Sequence, residues 1–324
     1  MGNVLAAGVI GVGYLGRFHA QKYARMPGVR LAGVADLNPE RARRVGGELG
    51  VPSVADFQTL LPELDLVSVV TPTQNHSAVV AACLRAGVHV MVEKPMTATL
   101  EEARELIALA EAHRRVLQVG HIKRFHPTVC ALQASGLLDK PRFIECHRLA
   151  PFKNRALDVD VVLDLMIHDV DLILHFVGSQ VVDVEAVGAE VVTGRVDIAH
   201  ARLRFANGCI AHVAASRLAR EARRQTRIFQ VDAMIELDFS EQTVMVRKRG
   251  SGEMVLDGVR LPAIVESRLP VPRHDPLEEE LRSFVGAVRG EHPPVVSGSD
   301  GYAALEVVTA IRREIAAFTR DIPA

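Results

Sequence analysis

Gly11-Val12-Gly13-Tyr14-Leu15-Gly16, with Asp36 twenty residues past the last glycine, is the first grouping whose types and spacing could do chemistry. A G-x-G-x-x-G is weak when it stands alone, because glycine-rich turns have many uses. Here an apolar, largely β-branched run at 4–10 leads into it, helical character follows over 17–25, and a second apolar run at 29–35 ends on the acid. In that context the pattern is a dinucleotide fingerprint. Gly11 permits the tight turn, Gly13 lets the backbone approach a pyrophosphate, and Gly16 lets helix and strand pack closely. Tyr14 and Leu15 are expected cofactor contacts with these glycines, and the start of the helix that follows offers unpaired N–H groups and a positive dipole end to the phosphates. Asp36 would accept hydrogen bonds from ribose hydroxyls and repel a 2′-phosphate, which favours NAD over NADP. The bland alternative is a βαβ unit with no ligand.

Lys94 is the second grouping, between Glu93 and Pro95 and directly after the apolar run at 88–92. Only six of the 38 basic residues are lysine, so a lysine kept here hints at a duty that needs a movable proton. Pro95 fixes the backbone after Lys94 and admits a cis bond; the competing reading is a surface lysine snorkelling over a sheet edge. The third grouping is Asp160, Asp164, His168, Asp171 and His175, whose spacing lays them along one face of a helix expected over 160–177. Such a stripe on an otherwise apolar helix either meets solvent or lines a polar cavity. A metal held by Asp164, His168 and Asp171 would need a fourth ligand from elsewhere, and no metal is expected.

Positioning these groups requires alternating elements. Helices are predicted at 39–49, 75–86 and 100–113, and buried strands at 66–70, 88–92 and 116–119. Continuously apolar strands alternating with helices predict a doubly wound parallel sheet covered on both faces. Ligands bind beyond the carboxyl ends of such strands, where Thr71-Pro72-Thr73-Gln74-Asn75-His76, Glu93-Lys94-Pro95 and Gly120-His121 leave the sheet. After about residue 121 the pattern changes. A strand at 142–148 and extended segments at 181–191, 198–205, 209–216, 226–232, 234–238 and 242–247 predict a large, open, mostly antiparallel sheet. Asn207-Gly208 marks a hairpin within it. Helices over 275–288 and 301–318 close the chain. The expected division is 1–121 and 122–324, an α/β domain followed by an α+β domain.

The chain has 324 residues, 48% apolar and 24% charged, with a formal charge of −1. That balance gives no reason to expect nucleic acid or an anionic membrane as partner. The one run of 18 or more residues without Asp, Glu, Lys or Arg, 66–84, is interrupted by Pro72, Gln74, Asn75 and His76, so no membrane span is expected. The apolar run at 1–16 has no basic start, so no secretory signal is expected. Four scattered cysteines show no C-x-x-C pair and fit a reduced cytoplasm. His19, His89, His113 and His292 are expected to have no chemical duty, and His76 either to pack beside the cofactor or to contact it.

Taken together, Gly11–Gly16, Asp36, Thr71-Pro72 with His76, Glu93-Lys94-Pro95, Gly120 through Arg124-Phe125, and Asp164-x-x-x-His168-x-x-Asp171 resemble the Gfo/Idh/MocA oxidoreductases. A departure is Asp158–Leu163, where many members carry a glycine-rich run. The resemblance implies NAD-dependent oxidation of a secondary hydroxyl on a sugar, polyol or nucleotide sugar. It implies Lys94, His168 and Asp164 as catalytic residues, with His168 as base, Lys94 on the reacting oxygen and Asp164 orienting the imidazole. Thr71, Pro72, His76, Glu93 and Lys94 join the glycine turn as cofactor contacts. Lys123, Arg124 and Asp171 are expected at the substrate, and Arg148, Lys153 and Arg155 add cations suited to a diphosphate. The stretch 142–151 with 158–171 is similar to a branch that oxidises UDP-N-acetylglucosamine to its 3-keto form. An inositol or simple-sugar dehydrogenase and a non-catalytic NAD-binding regulator are the alternatives. An open sheet face calls for cover, so a homodimer or homotetramer is expected.

Overall fold

The computed structural model describes residues 4–153 and 159–321. The chain forms two compact units, one made of the segment up to Ile122 together with Asp275–Leu305, the other of Lys123–His274 with the chain from Glu306.

In the first unit, β1 (Leu5–Ile10), α1 (Tyr14–Tyr23), β2 (Val29–Ala35), α2 (Pro39–Leu49), β3 (Ser53–Val54), β4 (Leu66–Val69), α3 (His76–Arg85), β5 (His89–Glu93), α4 (Leu100–Ala112) and β6 (Leu117–Gly120) follow in order. The strands form one parallel sheet in the order β3-β2-β1-β4-β5-β6. Consecutive buried residues along β1 and β4 explain the apolar runs, since helices cover both faces. Helix ends are locally encoded. Asn38 caps α2 by accepting from the Glu40 and Arg41 amides, and Thr99 with Glu102 forms a capping box on α4. α1 begins at Tyr14, inside the glycine motif and earlier than the expected 17.

The second unit opens with α5 (Pro127–Ser135) and β7 (Phe143–Leu149). A π-helical turn (Val162–Met166) then runs into α6 (Ile167–Val177). After it come β8 (Val181–Glu190), β9 (Val196–Phe205), β10 (Ile210–Ser216), β11 (Arg223–Phe229), β12 (Ala233–Asp238), β13 (Thr243–Leu256) and β14 (Val259–Arg268). Together with β7 they form an eight-stranded sheet in the order β14-β13-β12-β11-β7-β10-β9-β8, in which the β7–β10 pair is parallel and the other pairs antiparallel. Gly208 takes φ +86° in the turn between β9 and β10, as the Asn-Gly signal requires. The face opposite α6 mixes apolar side chains such as Phe143 and Phe229 with a charged row. Register places Glu185, Arg202, His212, Glu145, Arg227 and Glu236 in one row across five neighbouring pairings, so signs largely alternate from strand to strand.

Further departures from expectation lie beyond residue 121. β13 continues to Leu256 and returns as β14 through Asp257-Gly258, both at positive φ. α5 was not anticipated at all. The segment Asp275–Leu305, expected in the second domain, packs with the first unit. There α7 (Pro276–Val288) buries Leu281, Phe284 and Val285 in one cluster with Tyr23, Val9 and Leu31, and the Val119 amide donates to Val296 O. The last helix, α8 (Gly298–Asp321), is shared between the units.

Candidate active site

In the first unit the three glycines do three different things. Gly11 sits at φ +86°, and a Cβ there would lie 2.6 Å from Val70 O. At Gly16 a Cβ would come within 1.8 Å of Gly11 O, so this glycine is what allows α1 to sit on the turn. Around Gly13 nothing beyond its immediate chain neighbours lies within 4 Å of where a Cβ would be. α1 starts there with no side-chain cap and no acid in its first turn, so its N-terminal amides and dipole face that open space. Thr71 adds a buried hydroxyl with no hydrogen-bond partner among the described residues. Asp36 accepts from the Val12 amide at 3.0 Å and from the Asn38 amide at 2.9 Å, which fixes its carboxylate beside the turn. The Arg41 guanidinium reaches the same carboxylate at 3.3 Å, a partner not anticipated from the sequence. An open, amide-lined cradle, an orphaned hydroxyl and an anchored acid fit a dinucleotide's diphosphate and ribose.

The strand ends are tied together. His76, buried at the start of α3, places Nε2 2.8 Å from Thr71 O and Nδ1 3.0 Å from Pro95 O. Burial pulls the imidazole pKa down, while the two carbonyls, both acceptors, favour a doubly protonated ring; burial wins. The Lys94–Pro95 peptide is cis. Glu93 accepts from the Lys94 amide at 3.2 Å and sits 3.3 Å from His19 Nε2. Burial alone would raise the Glu93 pKa, yet His19 above all, with Lys94, holds it below the ordinary carboxylate value. His19 was expected to be idle; it is buried in α1 and braces the residue next to Lys94. Gly120 completes this packing, since a Cβ there would meet Glu93 Oε2 at 3.0 Å. His89 accepts the Val116 amide and is structural.

In the second unit, Lys123, Arg148, Ala150, Lys153, Asp164, His168, Arg217 and Arg224 are among the residues around a cavity of about 210 Å³. Asp169 neutralises Arg148 through two 2.6 Å hydrogen bonds, and Asp197 lies 3.9 Å from Arg217. The remaining positive field comes from Lys123, Lys153 and Arg224, opposed among the described lining residues by Asp164. Burial, reinforced by Arg148 and Arg224, pushes the Lys123 pKa down to about 8. Arg217 and Arg224 were not foreseen; strand register places Arg224 opposite Arg148. Arg155, named with the cations, lies outside the described residues.

The polar stripe expected over 160–177 does not meet a single environment. The Ile167 amide reaches back five residues to Val162 O in the π-helical turn, which rotates the flanking residues relative to an ideal α-helix. Asp164 and His168 line the cavity. Asp171 does not. Fully buried, it accepts two 2.8 Å hydrogen bonds from the buried Arg124, so these two expected substrate residues are paired with each other in the interior. Their geometry is the bidentate fork of a structural pair. Removing one partner strands a buried charge: Asp171→Ala is expected to cost about 3–5 kcal/mol in urea unfolding, and a loss below about 1 kcal/mol would show the pair to be dispensable. Among the described residues no group of three His, Cys, Asp or Glu is arranged to hold a metal ion.

Residues 5–121 match the family model described as an oxidoreductase family with an NAD-binding Rossmann fold, and residues 127–236 match the GFO/IDH/MocA C-terminal domain. The chain is 43% identical over 314 residues to UDP-N-acetylglucosamine 3-dehydrogenase of Acidithiobacillus ferrooxidans, covering 97% of this chain and 98% of that one. A solved structure of that enzyme superposes with a TM-score of 0.91 over the same shares. Myo-inositol 2-dehydrogenase of Thermotoga maritima is 29% identical over 325 residues, 95% of each chain. Scyllo-inositol dehydrogenase from Lactobacillus casei, solved with NAD(H) and scyllo-inositol, shares the fold at a TM-score of 0.79 and 20% identity, over 98% of both chains. The chain is an NAD-binding oxidoreductase of the Gfo/Idh/MocA family.

Proposed function

We propose that this enzyme oxidises a secondary hydroxyl of a nucleotide sugar, and that its substrate is UDP-N-acetylglucosamine, oxidised at C3. The observation that carries this reading is the cationic cavity that also holds His168 and Asp164. An uncharged polyol has no use for Lys123, Lys153 and Arg224 there, whereas a diphosphate does. The cavity's 210 Å³ suits that group rather than a whole nucleotide sugar. The 43% identical relative named for this substrate supports the same choice.

Nicotinamide, when bound, supplies the hydride acceptor. The chain's own residues handle the proton and the orientation. His168 takes the hydroxyl proton, since imidazole titrates near operating pH. Asp164 orients the ring and steadies its protonated form. Lys94 donates a hydrogen bond to the same oxygen and stabilises the charge that develops on it. The deciding experiment offers NAD with UDP-N-acetylglucosamine, free N-acetylglucosamine or myo-inositol and follows NADH absorbance. Turnover of the nucleotide sugar alone is expected, and preferential turnover of either uncharged compound would overturn the proposal.

Lys123 gives this reading a pH signature. Its ammonium is charged below about 8 and loses its proton above, so KM for the diphosphate substrate is expected to rise as pH climbs through that value. Lys123→Arg, charged throughout, should flatten the rise in initial-rate measurements; a wild-type KM that is level from neutral to alkaline pH would remove Lys123 from the anion site.

The oligomeric state belongs to the same proposal. The open face of the eight-stranded sheet carries a row of alternating charges, and a second copy of the chain is the cover we assign to that face, giving a homodimer or homotetramer. A monomer mass in light scattering at working concentration would contradict this. No helix among the described residues is long and apolar enough to cross a membrane; the four scattered cysteines, with no C-x-x-C spacing, are the ground on which we assign the enzyme to the cytoplasm.

A further inference from the structure

The helix that carries Asp164 and His168 begins on a single side chain. Asp160 Oδ1 accepts from the Val162 amide at 3.1 Å and the Leu163 amide at 3.0 Å, and Asp160 O accepts from the Asp164 amide at 3.0 Å. Three consecutive amides, the last belonging to Asp164 itself, therefore hang on one residue. The other carboxylate oxygen, Oδ2, accepts from Arg312 Nε at 2.7 Å. Arg312 comes from α8, 152 residues further along the chain. It lines a different cavity, with Thr309, Arg313 and Ile315.

A helix start leaves four amides without intrahelical partners, and the π-helical geometry of Val162–Met166 is a rare form used mostly in single turns at functional sites. Such a turn takes its register from whatever holds its first amides. Here Asp160 holds them, and Arg312 fixes which way the Asp160 carboxylate faces. A second arginine, Arg217, donates from Nη2 to Val159 O at 2.6 Å and pins the residue before the clamp.

We propose that Asp160 and Arg312 are positioning residues for the reaction: the ion pair sets the first turn of the helix and thereby where Asp164 and His168 point. This rests on the assignment of His168 as the base. Arg312 acts only through Asp160, so its removal perturbs catalysis without touching substrate, and NAD binding, carried by the first unit, is unaffected.

The test compares Arg312→Ala, Arg312→Lys, Asp160→Asn and a His168→Ala control, all as the full-length enzyme with NAD and UDP-N-acetylglucosamine. Arg312→Ala is expected to lose roughly tenfold or more in kcat, since misplacement of about 1 Å can cost a hundredfold, with KM for NAD unchanged. The acid limb of its kcat/KM profile moves to lower pH, because a displaced Asp164 no longer steadies the imidazolium. Arg312→Lys, which keeps the ion pair, restores most of kcat and returns the limb; a purely structural contact would move neither limb. Asp160→Asn retains an oxygen for the amides and falls between the two. If Arg312→Ala does not fold, judged by its melting curve, the lysine and asparagine variants carry the same readouts. With His168→Ala inactive, parental kcat and an unmoved limb in the Arg312 and Asp160 variants would overturn the positioning role alone. Turnover in His168→Ala would overturn the assignment of the base and this inference with it.

Discussion

Alanine at Lys94 or at His168 is expected to lower kcat at least ~100-fold, the span that a positioned acid or base supplies, while NAD binding survives. The two losses have different origins. Without the imidazole at 168, no group of matching basicity takes the hydroxyl proton, and kcat falls across the pH range. Without the ammonium at 94, the oxygen loses a charged donor in a site built on the end of β5, where Glu93 and the Thr71–Pro95 segments are held by His19 and His76. That scaffold explains why Lys94→Arg should not rescue: a planar fork cannot replace a compact ammonium at a fixed backbone position. NAD affinity, measured by titration calorimetry, should change little in either variant. The proposed mechanism has the two residues serve one proton and one oxygen, so the double variant should be scarcely slower than the worse single variant. Turnover within a few-fold of the parent in either purified single variant would remove that residue from the chemistry. A pair of inactive variants whose effects multiply in full would place them in separate steps.

Much of this arrangement was legible because it is local. The glycine motif, the acid that follows it and the alternation of apolar runs with helices fix a parallel sheet and the edge where ligands enter, with no need of long-range information. What was illegible depends on partners chosen across the fold. Arg124 and Asp171 read as substrate groups because charge beside the Asp164–His168 stripe invites that reading; their mutual fork, across 47 residues, pairs them in the interior. His19 looked idle because nothing in α1 says that its ring meets Glu93. The π-helical turn defeated an even spacing argument, since one widened turn changes which residues share a face. β13 and β14 were obscured by Gly250, Gly252 and Pro262, residues that weaken or interrupt a strand, although Asp257-Gly258 is a strong hairpin signal. The return of Asp275–Leu305 to the first unit leaves no local mark: Leu281, Phe284 and Val285 make an ordinary apolar stripe that would suit either core.

The glycine turn allows cofactor binding to be separated from folding. Gly13→Val is expected to weaken NAD binding by two orders of magnitude or more, about 2.8 kcal/mol, and to leave the melting temperature within a few degrees of the parent. Beyond its immediate chain neighbours nothing lies within 4 Å of the position a Cβ would take there, so a Cβ enters open space rather than the packed protein. The branched side chain would occupy the space in front of the uncapped start of α1, where the pyrophosphate must approach the amides. Gly16→Ala is the contrasting case. Its Cβ would meet Gly11 O at 1.8 Å, a backbone atom that cannot swing aside, so α1 must move off the sheet. The expected result there is a fall in stability of about 1–3 kcal/mol from overpacking, with NAD binding lost as a consequence. Calorimetric titration and melting curves on the two variants distinguish these outcomes. Normal NAD affinity in Gly13→Val would mean that the diphosphate does not lie on this turn, and the fold would then be a Rossmann unit binding its dinucleotide elsewhere along the strand ends.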